Sequence, residues 1–346
     1  MIFYTAMVRS RKAREKGRIM RNIVDIKGLR VSFGSNGERL EAVSGISISV
    51  PERSTVGIVG ESGCGKTVTA LSIMRLIPEP PGRIDDGEII FDGADLLKLS
   101  ERDVRAIRGN RISMIFQEPI SSLNPVFSIG EQIGEAIRTH LKVSKREERE
   151  RVLELLRLVK IPEPHKRLNS YPHELSGGMC QRVMIAMALS CNPELLIADE
   201  PTTALDVTIQ ASILELISEL KEKIGMSVLL ITHDLGIISE VANKVYVMYA
   251  GKIVEEAPVI NLFKNPRHPY TVGLMNSIPS LHSRKERLRA IPGMVPGLKD
   301  LPIGCRFQDR CPMVIDKCRI SEPYLRQIEN EHVSACFRAE EVNLKA

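Results

Sequence analysis

The sequence predicts an α/β fold with a mostly parallel central sheet, accompanied by an antiparallel β unit, a helical unit and a small irregular C-terminal extension. A glycine-rich turn at residues 60–67 directly follows an apolar run at residues 55–59. Three more continuous apolar runs follow, at residues 195–198, 227–232 and 245–249, with helical patterns between them. Apolar runs that alternate with helices are typical of parallel strands buried on both faces.

The composition indicates a globular protein that does not itself cross a membrane. The 346 residues are 43% apolar and 26% charged, with a formal net charge of +5. These proportions are ordinary for a soluble domain. No apolar run approaches the roughly 18–20 residues that a membrane-spanning helix needs. We therefore expect any membrane association to require other subunits.

The positive charge is concentrated at the N-terminus. Residues 1–21 contain seven Lys and Arg against one acid, Glu15, so the rest of the chain is nearly neutral. We expect a disordered basic extension here, or a true start at Met20, although such a tail can also bind acidic lipid or RNA. Its apolar residues precede the basic cluster, which is not the order of an export signal.

The first domain is predicted at residues 22–260. Short β-rich runs at residues 23–26 and 45–50, separated by turn residues, predict antiparallel strands. A helix is expected at residues 67–76, directly after the glycine-rich turn.

A helical unit at about residues 118–180 interrupts this domain. It lacks strand-like runs and has helical patterns at residues 129–140 and 145–159, and a further helix is expected at residues 181–188. After residue 260 the composition shifts to proline-punctuated sequence with four cysteines, which we take as an extension at residues 261–346 with one apolar helix at residues 272–278.

Residues 60–67 match a phosphate-binding pattern, G-x-x-x-x-G-K-[ST], between a strand and a helix. Glycines let backbone N–H groups point at phosphate oxygens at a helix N-terminus. Lys66 would neutralise β- and γ-phosphate charge, and the Thr67 hydroxyl would ligate Mg²⁺. The alternative is a structural turn with a surface lysine. The pattern predicts a P-loop NTPase (RecA-like) core, and the cradle residues are Gly60, Ser62, Gly63, Cys64 and Gly65.

Polar residues follow the ends of three other predicted strands. Asp199 and Glu200 come after one apolar run, and we assign Asp199 to Mg²⁺ and Glu200 to the attacking water. His233 follows a second run and could reach the γ-phosphate. Gln117 follows a third and can contact Mg²⁺ or its water. Taken alone, Asp199 and Glu200 could be an ordinary acidic strand end, and His233 could be a structural histidine.

The motif Leu-Ser-Gly-Gly-Met-Cys-Gln-Arg occupies residues 175–182. It lies in the sequence between the phosphate-binding pattern at residues 60–67 and the acidic pair at residues 199–200. With it, residues 23–260 resemble the ATP-binding-cassette (ABC) ATPases. The resemblance implies an ATP hydrolase that binds ATP and Mg²⁺. It also implies that Phe33 stacks on adenine, and that a loop of one subunit completes the nucleotide site of another through Ser176, Gly177 and Gly178.

Two short motifs resemble the oligopeptide/dipeptide importer ATPases within that family, Ser-Ser-Leu-Asn-Pro at residues 121–125 and Asn-Pro-Arg-His-Pro-Tyr-Thr at residues 265–271. The alternative interpretation of the second motif is a proline-punctuated loop that precedes a helix. The resemblance implies a peripheral protein on the cytoplasmic face of the cell membrane. Its partners would be a second ABC ATPase, identical or related, two permease subunits docked around residues 117–124, and an extracytoplasmic solute-binding protein that delivers di- or oligopeptides.

The extension contains four clustered cysteines, and a chain with nucleotide chemistry works in a reducing compartment, which favours metal over disulfides. Four thiolates can bind Zn²⁺ or an iron–sulfur cluster, and structural zinc usually prefers pairs two to four residues apart, which are absent here. The resemblance implies a [4Fe–4S] cluster. The ligands would be Cys305, Cys311, Cys318 and Cys336. Cys64, Cys180 and Cys191 are expected to be packing residues.

Two alternative functions remain open at this point. An importer of oligosaccharides or metal chelates could use the same ATPase, because the permease and binding protein select the solute. A soluble ABC ATPase acting on nucleic acid is a different class, but the chain has no sustained heptads and its near-neutral body lacks a basic stripe. We therefore expect no nucleic-acid partner.

Overall fold

The computed structural model describes residues 21–35, 38–118, 122–203, 205–277 and 291–343. The predicted basic extension lies outside the described residues except for Arg21, and so does Ser121 of the first importer-like motif. The described strands are β1 Asn22–Ser35, β2 Glu38–Pro51, β3 Thr55–Val59, β4 Gly82–Phe91, β5 Ala94–Asp95, β6 Ile112–Ile115, β7 Leu195–Asp199, β8 Ser227–Thr232, β9 Lys244–Tyr249, β10 Lys252–Pro258, β11 Arg326–Glu329 and β12 His332–Ser334.

The helices lie mainly between the strands of the central sheet. The described helices are α1 Lys66–Ile73, α2 Glu101–Ile107, α3 Ile129–His140, α4 Lys145–Leu158, α5 Pro164–Arg167, α6 Gly177–Ala188, α7 Val207–Ile224, α8 Leu235–Val241, α9 Val259–Lys264, α10 Pro269–Asn276 and α11 Asp316–Ile320. Within the described ranges, no helix has both the length and the apolar character needed to span a membrane.

The predicted parallel sheet is confirmed. Its strand order is β11-β12-β10-β9-β3-β8-β7-β6, and β9, β3, β8, β7 and β6 are mutually parallel. Every residue of β3, β7 and β8 is buried, as their continuous apolar runs predict. Because parallel strands end at the same edge, residues 60, 117, 200 and 233 lie along one side of the sheet.

The antiparallel unit consists of longer strands than the sequence indicates. Its order is β2-β1-β4-β5, and the predicted short strands at residues 23–26 and 45–50 are parts of two 14-residue strands. Register shifts along the β1–β2 pair interrupt the alternation of apolar residues, which hides the strand length from a pattern search.

The helical unit contains α3 and α4 at the predicted positions. Ser128 and Ser144 begin these helices with capping boxes, because each accepts from the backbone three residues on while Glu131 or Glu147 reaches back. Their apolar faces pack against each other and against α6 in one core cluster.

The extension is less irregular than predicted. Its strand β12 pairs with the edge strand β10, with Glu255 opposite Ser334, and β11 pairs with β12. An edge strand offers unpaired backbone groups, and β12 satisfies them. The helix α10 begins at Pro269 rather than residue 272, because proline fits the first helical turn and His268 accepts from the backbone N–H of Tyr270.

Candidate functional site

The phosphate loop (residues 60–67) connects β3 to α1, as predicted. Gly65 begins the helix with φ 107°, a conformation that favours glycine. Gly60 is needed for a different reason: a Cβ there would lie 2.1 Å from the Met248 carbonyl oxygen. Ser62, Gly63 and Thr67 are exposed, so this face of the loop is accessible to a ligand.

Lys66 is held inside the loop. Its ammonium donates to the carbonyl oxygens of Gly60 at 2.8 Å and Glu61 at 3.0 Å. Cys64 packs fully buried behind the lysine, and burial raises the pKa of its thiol. Cys180 and Cys191 are also buried, which confirms the expected packing role of all three.

Asp199 and Thr67 form the part of the site that suits a divalent cation. Asp199 is 2% exposed, and its Oδ1 has no hydrogen-bond partner among the residues that the structure describes. Burial raises the pKa of Asp199 above its usual range, while a hydrogen bond from Thr67 opposes that shift. A buried carboxylate oxygen left without a partner, next to a hydroxyl, is a donor set that fits Mg²⁺.

Three side chains converge on the Glu200 carboxylate. Its Oε2 accepts from the Gln117 amide at 3.2 Å and from the Thr203 hydroxyl at 3.0 Å, and it lies 3.3 Å from His233 Nδ1. Glu200 has φ 45°, and its backbone N–H donates to the Ile231 carbonyl of the neighbouring strand. Glu200 is thus held in an unusual conformation by its surroundings while His233 remains largely exposed.

Ser176, Gly177 and Gly178 lie at the N-terminus of α6. The Ser176 hydroxyl caps the helix by accepting from the backbone N–H of Met179, and Gly178 packs against Ile209 of α7. Ser176 is exposed. The N–H groups of a helix N-terminus attract anions, and the exposed Ser176 places this helix start at the surface.

Phe33 lies on β1 opposite Gly82. It is partly buried and packs beside Ile77 on the core of the antiparallel unit. Its role as the adenine platform stays a prediction.

The four cysteines of the extension lie close enough to influence one another electrostatically. Burial, with contributions from Cys311, Cys305 and Cys318, raises the pKa of Cys336 to about 12. Burial likewise raises the pKa of Cys305 to about 11. Over the described part of the chain, however, no three His, Cys, Asp or Glu side chains are arranged to hold a metal ion. The predicted cluster therefore stays a prediction.

Four further residues shape the site and were not predicted from the sequence. Thr203 could have been noticed as a hydroxyl three residues after Glu200. Gln181, fully buried, donates to the Pro201 carbonyl at 2.6 Å and so ties α6 to the segment after Glu200. Arg310 and Tyr270, both in the extension, contact Glu61 of the phosphate loop.

Comparison with known protein families matches two regions of the chain. Residues 43–203 match the ABC transporter family, and residues 254–318 match the oligopeptide/dipeptide transporter C-terminal region. The first match contains the phosphate loop and Glu200, and the second contains Tyr270, Arg310 and three of the four clustered cysteines.

Full-length relatives are similar over nearly the whole chain. A probable peptide ABC transporter ATP-binding protein of Sinorhizobium fredii is 54% identical over 92% of this chain and 96% of its own length. The oligopeptide transport ATP-binding protein AppD of Bacillus subtilis is 50% identical over 93% and 98%. The dipeptide transport ATP-binding protein DppD of Escherichia coli is 49% identical over 91% and 96%.

A solved structure is similar in fold. The ATP-binding cassette MJ0796, determined as a dimer in a post-hydrolysis state with ADP and Pi, superposes with a TM-score of 0.61 at 28% identity, covering 68% of this chain and 98% of that one. On the strength of these matches, the chain belongs to the ATP-binding proteins of ABC transporters, ATP-hydrolysing transport ATPases, in their oligopeptide/dipeptide group.

Proposed function

We propose that this chain powers the import of di- or oligopeptides by hydrolysing ATP at residues 60–67 and 199–233. The observation that carries the proposal is the convergence of Gln117, Thr203 and His233 on the Glu200 carboxylate, in a chain with an oligopeptide/dipeptide-type C-terminal region. Relatives named for peptide transport, similar along nearly their full length, support the choice of solute class.

In this proposal the phosphate loop holds the triphosphate. Lys66 turns from its backbone carbonyl partners to the β- and γ-phosphates, and the backbone N–H groups of the exposed part of the loop bind phosphate oxygens. The cradle residues are Gly60, Ser62, Gly63, Cys64 and Gly65. Phe33 stacks on the adenine from the antiparallel unit.

Thr67 and Asp199 would hold Mg²⁺, with Gln117 as a further contact to the ion or its water, and the bound ion would neutralise charge on the phosphates. Glu200 accepts a proton from, and orients, the attacking water. The hydrogen bonds from Gln117 and Thr203 hold one Glu200 oxygen and so aim the other. His233 lies beside Glu200 and is largely exposed, and it would meet the γ-phosphate.

We propose further that the nucleotide site is completed by a second ATPase subunit. The N-terminus of α6, where Ser176 is exposed and is followed by Gly177 and Gly178, would contact the γ-phosphate held by that partner. The dimeric state of the similar cassette MJ0796 supports this arrangement. The partner is either a second copy of this chain or a related ATPase.

The membrane subunits would dock on the helical unit. Large apolar side chains at the start of the helical unit and just before it are exposed, with Phe116 at 41%, Val126 at 71% and Phe127 at 48%. Two permease subunits would hold the chain, whose ATP-binding domain spans residues 22–260, on the cytoplasmic face of the membrane. An extracytoplasmic solute-binding protein would deliver the peptide.

We also propose that Cys305, Cys311, Cys318 and Cys336 bind a [4Fe–4S] cluster, with Zn²⁺ as the alternative. The other three thiols lie close enough to raise the pKa of Cys336, a repulsion between thiolates that a bound metal would relieve, and the Arg338 backbone N–H donates to Cys336 Sγ at 3.4 Å. Their spacing here is not yet that of metal ligands, so binding would draw the thiols together. Iron, acid-labile sulfide and zinc assays after anaerobic purification decide between the two.

The function is tested with the assembled transporter in vesicles. ATP-dependent uptake of labelled di- and oligopeptides is expected, and it should stop when Glu200→Gln replaces the wild-type chain. Oligosaccharides and metal chelates serve as competing solutes. Uptake of one of these in place of peptide would refute the proposed solute class while leaving the ATPase assignment intact.

A further inference from the structure

The extension reaches back to the phosphate loop at Glu61. The Arg310 guanidinium donates two hydrogen bonds to the Glu61 carboxylate, 2.7 Å from Nη1 to Oε2 and 2.8 Å from Nη2 to Oε1. The two residues are 249 positions apart in the sequence. A bidentate contact between guanidinium and carboxylate fixes the orientation of both groups as well as the distance between them.

Arg310 is itself held rigidly. Its side chain is 5% exposed, and Nε donates to the Pro292 carbonyl at 2.8 Å. The guanidinium lies 5.8 Å from the centre of the Tyr249 ring and 6.0 Å from that of Phe307. An arginine with these contacts acts as a fixed anchor rather than a mobile surface charge.

The extension also binds the backbone of the same loop residue. The Glu61 N–H donates to the hydroxyl of the fully buried Tyr270 at 2.8 Å. The Glu61 carbonyl in turn accepts from Lys66 at 3.0 Å. Two of the three polar groups of Glu61 are therefore held by the extension, and the third supports the lysine.

The charge of Glu61 gives these contacts a consequence for binding. A carboxylate in the loop that receives a triphosphate repels it, because like charges at short range disfavour each other in a partly buried site. The Arg310 guanidinium compensates that charge directly. Without Arg310, Glu61 would be both unpaired and free to turn toward the ligand.

We infer that Arg310 is a positioning residue of the nucleotide site, through which the extension holds Glu61 and makes the phosphate loop receptive to ATP. The inference rests on the proposed role of residues 60–67 as the ATP site. The extension is then part of the nucleotide-binding machinery, and Arg310 acts on ATP only through Glu61.

The test measures binding of mant-ATP with Mg²⁺ to the purified full-length chain. Arg310→Gln is expected to raise the Kd about tenfold, because it leaves the Glu61 charge unpaired beside the phosphates. The double variant Glu61→Gln/Arg310→Gln should recover most of that loss, because removing both partners leaves no uncompensated charge. In the assembled complex, the KM for ATP should rise in Arg310→Gln while kcat stays within about threefold of the wild type.

Arg326 offers a matched control within the same extension. It makes a similar bidentate pair with Glu340, at 2.6 and 2.7 Å, away from the phosphate loop. Arg326→Gln should leave the Kd for mant-ATP unchanged, whatever it does to the melting temperature. If the substitutions acted only by weakening the extension as a whole, the Kd for mant-ATP would rise in both Arg310→Gln and Arg326→Gln.

The possible results distinguish a failure of the role inferred for Arg310 from a failure of the proposed ATP site. Wild-type Kd in folded Arg310→Gln, with or without a lower melting temperature, overturns the inference and leaves the ATP site standing. If Arg310→Gln does not fold, Arg310→Lys keeps the charge but loses the bidentate hold on Glu61, so its Kd is expected to rise, and a wild-type Kd in folded Arg310→Lys overturns the inference equally. A wild-type chain that does not bind mant-ATP would refute the ATP site itself.

Discussion

The Gln117 amide donates to the Glu200 carboxylate at 3.2 Å across 83 residues of sequence. Gln117 follows β6 and leads into the helical unit, whereas Glu200 follows β7 of the parallel sheet. A displacement of the helical unit against the sheet would therefore change how Glu200 is held. The contact therefore connects the helical unit, where the permease subunits are proposed to dock, directly to Glu200, the proposed base.

We expect Glu200→Gln to lower kcat for ATP by about 10²–10⁴-fold, the usual worth of a positioned proton acceptor. The amide keeps the size of the side chain, so the Kd for ATP should change little. Turnover is measured in the assembled transporter and binding with mant-ATP.

Glu194→Gln is the control for this prediction, because Glu194 lies just before the opposite end of β7, paired with Arg111. We expect its kcat to stay within about twofold of the wild type, as for most substitutions away from a site. Wild-type turnover in Glu200→Gln would disprove the assigned role.

Asp199→Asn should stabilise the metal-free protein at pH 7. Burial raises the pKa of Asp199 above its ordinary 3.8, so the ionised carboxylate is less favourable in the folded protein than in the unfolded chain. This cost is absent below about pH 3.8, where both states are protonated, and it appears as the pH rises through the folded pKa.

Urea unfolding of the wild type and Asp199→Asn without Mg²⁺, at pH 7 and pH 4, tests the direction of this effect on the free energy of unfolding. The gain in free energy of unfolding should be clear at pH 7 and shrink at pH 4, and millimolar Mg²⁺ should stabilise the wild type more than the variant. The exposed Asp300 provides the control substitution, Asp300→Asn. An equal gain at both pH values would contradict the desolvation argument.

The parts of the site that the sequence predicts are those encoded within a few residues. Apolar runs that stop at a polar residue mark strand ends, and parallel strands end at one edge, so Asp199, Glu200 and His233 could be placed together before the structure was known. The helix at Ile129–His140 is predicted for the same reason, since its helical period is a local signal.

The parts that could not be predicted are contacts between distant segments. Nothing local in the sequence marks the partners of Gln181 and Arg310. Polar side chains are usually exposed, yet each of these is buried against a partner 20 or 249 residues away. The short strands β11 and β12 have little strand character of their own and form because β10 offers an unpaired edge.

His268 should make the protein sensitive to acid. Burial lowers its pKa from 6.5 to about 3, so protonation is disfavoured in the folded state. Its contribution to stability is therefore complete above pH 6.5 and is lost as the pH falls toward 3, at no more than about 1.4 kcal/mol per pH unit.

His268→Asn keeps an acceptor for the Tyr270 N–H but cannot titrate. Between pH 6.5 and 4 the free energy of unfolding of this variant should fall less steeply than that of the wild type, as measured by chemical denaturation. His165→Asn makes the same substitution at an exposed position and should retain the wild-type slope. Parallel slopes for wild type and His268→Asn would exclude His268 as the cause.

Gly60→Ala should abolish tight ATP binding. The added Cβ would lie 2.1 Å from the Met248 carbonyl oxygen and 2.8 Å from Cys64 Sγ, and a backbone atom in a central strand cannot move aside. The phosphate loop must shift instead, at a cost of about 1–3 kcal/mol in stability. Binding of mant-ATP is the decisive measurement.

Gly28→Ala is the comparison for Gly60→Ala. Gly28 has φ 59° and open space around its Cβ position, so it should lose some stability to backbone strain and none of its ATP affinity. Retained affinity in Gly60→Ala would show that the loop tolerates the displacement.

The proposed exchange of loops between subunits predicts that two inactive variants complement each other. Lys66→Ala disables the phosphate loop of its own subunit, and Ser176→Arg disables the α6 N-terminus that it offers to the partner. In a mixed dimer, one site then combines both defects, while the other contains an intact Lys66 and an intact Ser176.

At equal mixing and random association, about half of the dimers are mixed and each has one working site, so ATPase activity should recover to about a quarter of the wild-type value if the two sites act independently. Each variant alone should be inactive. A site built within one subunit predicts no recovery at any ratio, because every subunit then carries one defect. The experiment uses the chain as its own partner; if the native partner is a related ATPase, Ser176→Arg in this chain should instead disable the nucleotide site on the related subunit, as seen in its loss of nucleotide trapping.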